Sequence, residues 1–164
     1  MAALTAGTRA PDFSLVGIDG TEFSLQEALQ RGPVVAAFFK ISCPVCQYAF
    51  PFFERLYKAH GARASFVAIS QDNAGATSAF LKEYGVTFPT LLDDPNGYAA
   101  SNAYGLTNVP SWFLIGTDGK IELSSVGWSR KDVEELNRRL AETGNGPVAP
   151  LFHAGEDVRD FRAG

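Results

Sequence analysis

Two cysteines that lie close together in sequence, Cys43 and Cys46, are the residues of this chain best suited to chemistry. They are the only cysteines among its 164 residues. With this spacing on one helix face, a cysteine pair can pass between a dithiol and a disulfide, which is a two-electron redox reaction. A closed zinc site would need four ligands, and the two histidines, His60 and His153, are distant in sequence. The pattern therefore predicts a redox-active pair rather than a metal site or a structural disulfide.

The residues around the pair predict that it lies between a buried strand and a helix. Residues 34–39 form a continuous apolar run, which is typical of a strand buried on both faces. After the pair, apolar residues recur at helical spacing up to about residue 60. Pro44 suits the first turn of this helix, where a missing N–H costs nothing. We expect the helix N-terminus to stabilise a thiolate at Cys43 and so to lower its pKa.

Composition and charge narrow the class of protein. Hydrophobic residues make up 46% of the chain and charged residues 20%, which is ordinary for a globular domain. The net charge of −4 argues against nucleic acid or an anionic membrane as a partner. No apolar window is long enough for a transmembrane helix, and residues 1–7 do not resemble a signal peptide. The sequence as printed predicts a cytoplasmic protein, and a periplasmic one if an export signal precedes it in a longer chain.

The rest of the chain alternates strands and helices. The predicted order is hairpin, strand, helix, strand, helix, strand, hairpin and helix, which favours an α/β fold with right-handed parallel crossovers. We predict one domain over residues 1–144, with an N-terminal β-hairpin extension that turns at Asp19-Gly20. Residues 145–164 are predicted to form a C-terminal tail. Its aromatic residues either dock on the domain or belong to a frayed terminus, and the sequence leaves both interpretations open.

Several motifs resemble the redoxin branch of the thioredoxin superfamily. They are the cysteine pair, the opening Ala10-Pro11-Asp12-Phe13, and the dipeptide Val109-Pro110 that precedes the final hairpin. The similarity covers about residues 7–143, and the branch contains bacterial thiol-disulfide oxidoreductases of the TlpA and ResA type as well as the peroxiredoxins. The resemblance implies the thioredoxin fold, in which a central mixed β-sheet is flanked by helices.

The resemblance also implies a role for each residue of these motifs. Cys43 would be the attacking thiol, Cys46 the resolving thiol, and Pro110 a cis-proline that faces them. Val109 would offer backbone groups to an extended substrate chain. The implied partners are a disulfide-bearing protein substrate and a dithiol protein that donates electrons, and no cofactor or metal is implied.

Three positions depart from the familiar patterns. Thioredoxins carry a buried aspartate six residues before the first cysteine, and this position is Ala37 here. ResA-like proteins carry a glutamate six residues after that cysteine, and this position is Ala49 here. Neither acid is therefore available to take the proton of the second thiol. Lys40 places a charge shortly before Cys43, where it would either lower the thiol pKa or extend to the surface.

Two other functions fit parts of the sequence. A peroxiredoxin would bind peroxide through Pro-x-x-x-Thr/Ser-x-x-Cys, but the required positions before Cys43 hold Ala36 and Lys40. Before Cys46 the same positions hold Phe39 and Cys43. A carrier of a soft metal would use both cysteines and a histidine, although no well-placed histidine is evident. The sequence favours a thiol-disulfide oxidoreductase that reduces or exchanges protein disulfides.

Overall fold

The computed structural model describes residues 3–164. Residues 1 and 2 lie outside the described residues. They belong to the predicted 1–144 domain and to the segment 1–7 that was compared with signal peptides. In chain order the elements are β1 (Ser14–Val16), β2 (Glu22–Ser24), α1 (Leu25–Leu29), β3 (Val34–Phe39), α2 (Pro44–His60), β4 (Ser65–Ser70), α3 (Ala74–Tyr84), β5 (Thr90–Leu92), α4 (Ala99–Ala103), β6 (Ser111–Ile115), β7 (Ile121–Val126), β8 (Trp128–Ser129), α5 (Arg130–Thr143) and β9 (Phe161–Arg162). None of the helices within the described residues is long and apolar enough to cross a membrane.

A five-stranded mixed sheet forms the centre of the fold, with the strand order β5-β4-β3-β6-β7. Strand β3 is parallel to β4 and antiparallel to β6. All six residues of β3 are buried, as its apolar run predicts. The end of β3 pairs with the beginning of β6, where Phe38 lies opposite Ser111. The loop that follows β3 and the loop that precedes β6 therefore meet at the same end of the sheet.

Two apolar layers cover the sheet, and they divide the residues of β3 by alternation. Residues 34, 36 and 38 pack with the N-terminal segment, α1 and α4. Residues 35, 37 and 39 pack with α2, α3 and α5. Each large apolar side chain buried in these layers contributes roughly 1.5–3 kcal/mol relative to an exposed one. Helix α2, which follows the first cysteine, is fixed to the sheet in this way.

The predicted N-terminal hairpin is present. Strand β1 pairs antiparallel with β2, and the chain turns through Gly20, whose φ is +83°. The side chain of Asp19 accepts a hydrogen bond from the backbone N–H of Thr21 at 2.9 Å and holds the turn. The mixed sheet flanked by helices and the hairpin extension are thus confirmed.

The C-terminal tail, residues 145–164, docks on the domain. The backbone of Ala149, which is buried, exchanges two hydrogen bonds with the side chain of Asn137 on α5. Arg55 on α2 forms a bidentate ion pair with Glu156, with both N–O distances at 2.7 Å. Of the two interpretations that the sequence leaves open, docking is therefore observed. The boundary at residue 144 remains a prediction about the folding unit.

Candidate active site

Cys43 is the N-cap of helix α2. Its backbone is extended, with φ −83° and ψ 113°, and Pro44 follows in the first helical turn as predicted. The Cys43 Sγ accepts a hydrogen bond from the backbone N–H of Cys46 at 3.1 Å. The first N–H groups of a helix have no partner within it. One of them is therefore directed at the sulfur, where it stabilises a negative charge.

The two thiols lie in different environments. Cys43 is half-buried, whereas Cys46 is completely buried. A hydrogen bond from the Cys46 side chain, with smaller contributions from the backbone of α2, lowers the pKa of Cys43 from 9.0 to about 6. Burial, and then the neighbouring Cys43, raises the pKa of Cys46 far above its usual range. At neutral pH Cys43 is a thiolate and Cys46 is a thiol.

The loop before β6 lies against the attacking sulfur. The peptide bond between Val109 and Pro110 is cis, as predicted. The Cys43 sulfur lies 3.4 Å from the Val109 carbonyl oxygen, to which it donates a hydrogen bond when it is protonated. The Pro110 carbonyl accepts a hydrogen bond from the N–H of Gly127 at 2.7 Å. The structure thus brings Cys43, Cys46 and the Val109-Pro110 dipeptide together. One of the backbone groups expected to be free for substrate, the Val109 carbonyl, is engaged while Cys43 is a thiol and is released when Cys43 becomes a thiolate.

Lys40 contributes to the site through its backbone. Its side chain is exposed, and its carbonyl accepts a hydrogen bond from the N–H of Cys43 at 3.3 Å. The positive charge that lowers the pKa of Cys43 is that of Arg162, on β9. Of the two interpretations of Lys40, the structure favours a side chain that extends to the surface.

Sequence reasoning missed three residues that shape the site. Asp72 follows β4 and accepts a hydrogen bond from the N–H of Ile41 at 2.8 Å, which fixes the loop before the first cysteine. The hydroxyl of Tyr48, on α2, accepts one from the N–H of Arg159 at 2.8 Å. The guanidinium of Arg162 lies 5.1 Å from the centroid of the Tyr48 ring. The position of Asp72 could have been predicted, because the carboxyl ends of the parallel strands β3 and β4 meet at one end of the sheet. No local sequence pattern connects the tail with the cysteines.

The two positions at which related proteins carry an acid are alanines here, and the candidate metal ligand His60 lies far from the pair. Ala37 and Ala49 are buried and supply no carboxylate next to Cys46. Within residues 3–164, no group of three or more His, Cys, Asp or Glu side chains is arranged to hold a metal ion. His60 lies at the far end of α2, about 25 Å from the N-cap at the helical rise per residue. It is buried there, and its Nε2 is 2.9 Å from the Oδ1 of Asn137.

Comparison with known proteins identifies the family. The Redoxin family model matches residues 5–140 of the chain. The chain belongs to the Redoxin family. One relative of this redoxin is the thiol-disulfide oxidoreductase ResA of Geobacillus thermodenitrificans (strain NG80-2), which is 30% identical over 142 residues, covering 84% of this chain and 78% of that protein.

Two solved structures share the architecture. A thiol:disulfide interchange protein of the thioredoxin family from Chlorobium tepidum TLS superposes with a TM-score of 0.69 at 26% identity, covering 87% of this chain and 99% of that chain. Peroxidoxin BcpB from Mycobacterium tuberculosis superposes with a TM-score of 0.68 at 26% identity, covering 87% and 97%. The thioredoxin fold and the redoxin branch, both implied by the sequence motifs, are confirmed.

Proposed function

We propose that this redoxin is a thiol-disulfide oxidoreductase whose redox centre is Cys43-Pro44-Val45-Cys46. The observation that carries the proposal is the pairing of two unlike thiols on one helix turn. A half-buried thiol of low pKa is hydrogen-bonded to a buried thiol of high pKa, and the cis-proline loop lies against the first of them. Similarity to a ResA protein and to a thiol:disulfide interchange protein supports the same class of enzyme.

Cys43 carries out the first step. With a pKa of about 6, roughly 90% of it is thiolate at pH 7. The thiolate attacks one sulfur of a substrate disulfide, a bond forms between that sulfur and Cys43, and the other substrate sulfur leaves as a thiolate. The N–H of Cys46 stabilises the charge on Cys43 until this bond has formed. The product is a mixed disulfide between enzyme and substrate.

Cys46 carries out the second step. Its sulfur attacks Cys43, an internal disulfide forms, and the second substrate sulfur leaves as a thiolate. The proton lost by Cys46 passes to that leaving thiolate or to water, and two electrons have moved from the pair to the substrate. Because residues 37 and 49 are alanines, neither position offers a carboxylate to accept this proton. We infer that resolution is the step most sensitive to pH.

The proposed partners follow from this cycle. The proposed substrate is a protein with an accessible disulfide, as the family resemblance implies, and it would react with Cys43 because Cys46 is buried. A dithiol protein returns two electrons by the reverse sequence of exchanges. Pro110 and Val109 are proposed to position the substrate chain opposite Cys43, as in the family that they resemble.

Equilibration of the protein with reduced and oxidised glutathione tests the proposal. Alkylation of free thiols, followed by mass spectrometry, reports the fraction of protein that holds an internal disulfide. We expect one reversible transition with a two-electron slope, a tenfold change in the equilibrium for about 30 mV. Cys46→Ser serves as a control that takes up only glutathione, and Cys43→Ser, whose remaining thiol is buried, should take up none. Failure of the unmodified protein to form an internal disulfide would contradict the proposal.

Peroxide reduction is the second candidate function, and similarity to a peroxidoxin favours it. Against it, Ala36 and Lys40 occupy the positions at which peroxiredoxins carry the proline and the hydroxyl residue of their peroxide-binding motif. Stopped-flow mixing of reduced protein with hydrogen peroxide separates the two functions. We expect Cys43 to be oxidised more slowly by peroxide than by a disulfide, and the opposite order would favour the peroxidase.

A further inference from the structure

The end of the tail, residues 159–164, packs beside the cysteine pair, and the proposed reaction makes no use of it. The N–H of Arg159 donates to the hydroxyl of Tyr48, and its carbonyl accepts a hydrogen bond from the Trp128 indole at 2.6 Å. Arg162 lies opposite Trp128 in the β8-β9 pair. The end of the tail is therefore fixed both to helix α2 and to the segment that follows β7.

The same residues contact the cis-proline loop. The side chain of Asn108 donates a hydrogen bond to the carbonyl of Gly164 at 2.9 Å. A Cβ atom at Gly164 would lie 2.6 Å from the Val109 carbonyl oxygen. Gly127 has φ +75°, and a Cβ there would lie 2.5 Å from the carbonyl oxygen of Arg162. Glycine permits this close approach of three backbone segments, so residues 162–164 form a wall beside the Val109-Pro110 dipeptide.

Arg162 brings a positive charge into this wall. Its side chain is half-buried, and its guanidinium is held over the Tyr48 ring by a cation–π contact. Within residues 3–164, no carboxylate forms an ion pair with it, and its recorded side-chain partner is the Tyr48 ring. Its charge reaches Cys43, where it favours the thiolate. The active site is thus bordered by a cation that is held over Tyr48 and is not paired with a carboxylate of the described residues.

We propose that Arg162 is a specificity residue, which makes the site favour substrate disulfides with an aspartate or glutamate beside the attacked cysteine. The inference rests on the proposed function, because it describes the chain that Cys43 attacks. That chain must approach the N-terminus of α2 past the cis-proline loop, and residues 162–164 border this path. An acidic side chain on it meets the guanidinium, whereas a lysine meets a like charge. At a half-exposed site, an ion pair between the substrate carboxylate and Arg162 should change the rate of attack by Cys43 about two- to fivefold.

Three model disulfides test the proposal. They are peptide homodimers that differ only in the residue beside the cysteine, which is aspartate, asparagine or lysine. Each reacts with the reduced Cys46→Ser protein at one fixed pH, and the mixed disulfide with Cys43 is quantified by mass spectrometry. Each rate is divided by the rate of the same peptide with a small free thiolate, because the neighbouring charge alone changes the leaving thiol. On this normalised scale we expect the aspartate peptide to react about two- to fivefold faster than the asparagine peptide, and the lysine peptide to react most slowly. The ratio of two peptides on one variant depends neither on its folded fraction nor on its fraction of thiolate.

Variants of the tail assign the preference to one residue. On the normalised scale, Arg162→Gln should abolish the order of the three peptides, Arg162→Glu should reverse it, and Arg162→Lys should keep it. Arg159→Gln is the matched control, because this arginine lies on the same segment with an exposed side chain, and the order should persist. An unchanged order in Arg162→Gln would overturn the proposal and leave the proposed function standing. If no peptide forms a mixed disulfide with Cys43, the proposed function fails and this inference fails with it.

Discussion

Replacement of Cys46 by alanine should measure how much of the reactivity of Cys43 comes from the neighbouring thiol. The hydrogen bond from the Cys46 side chain is the largest of the effects that lower the pKa of Cys43, ahead of the backbone N–H groups of α2 and the charge of Arg162. Alanine removes this bond and keeps the backbone N–H at position 46. Serine keeps a hydroxyl donor at nearly the same place. The two variants therefore isolate one hydrogen bond.

The size of the effect follows from the exposure of the sulfur. A hydrogen bond to a charged group contributes about 1.5–3 kcal/mol. Because Cys43 is half-exposed and solvent screens its charge, we take about 1–1.5 kcal/mol, which corresponds to roughly one pKa unit. We expect the pKa of Cys43 to rise from about 6 to roughly 7 in Cys46→Ala. The rise in Cys46→Ser should be smaller.

Titration of the thiolate absorbance in reduced protein measures this pKa, and the rate of alkylation by iodoacetamide against pH provides an independent reading. The sign is that of an acid with a lowered pKa, so the thiolate fraction and the alkylation rate increase as pH rises through about 6 in the wild type. They should reach a plateau well below the ordinary thiol pKa of 9.0. A wild-type midpoint near 9.0, or the same midpoint in Cys46→Ala, would refute the reasoning.

Three further predictions concern the charges near Cys43, the buried carboxylate of Glu54 and the docked C-terminal tail. Arg162→Gln should raise the pKa of Cys43 and Lys40→Met should leave it nearly unchanged, both read by the same titration, and the reverse order would restore Lys40 as the tuning charge. Glu54→Ala should destabilise the fold by about 2–3 kcal/mol in urea unfolding, because the buried carboxylate accepts hydrogen bonds from the N–H and hydroxyl of Thr87. Lys58→Ala, which removes the exposed ion-pair partner of Glu54, should lower the free energy of unfolding by less than about 1 kcal/mol. Truncation after residue 144 should lower stability by about 3 kcal/mol or more, since it removes the buried Leu151 and the partners of Asn137, and unchanged stability would show that residues 1–144 fold independently of the tail.

The cysteine centre could be predicted from sequence because its determinants are local. The apolar run of β3, the helical periodicity after it and Pro44 all lie within a few residues of the pair. The cis bond before Pro110 was implied by resemblance, through the short motif around it. For these features, pattern and chemistry point to the same structure.

The wall beside the site could not be predicted, because it depends on contacts distant in sequence. Strands β8 and β9 contain two residues each, which is too short for any periodicity, yet their pairing is what brings Arg162 to α2. Asp72 and Asn73 both precede α3, and both have side chains suited to a helix N-cap. Asn73 takes that place, and Asp72 instead binds the loop before Cys43. Lys40 is close in sequence to Cys43 but has an exposed side chain, so proximity along the chain did not identify the relevant cation.

The division of labour between the two thiols is tested most directly by reacting each serine variant with a disulfide-containing protein substrate and analysing the products by mass spectrometry without reductant. If Cys43 attacks and Cys46 resolves, Cys46→Ser should accumulate a lasting mixed disulfide through Cys43, and Cys43→Ser should accumulate none. The unmodified protein should release the reduced substrate and retain a disulfide between Cys43 and Cys46. A mixed disulfide that forms through Cys46 as readily as through Cys43 would contradict the account.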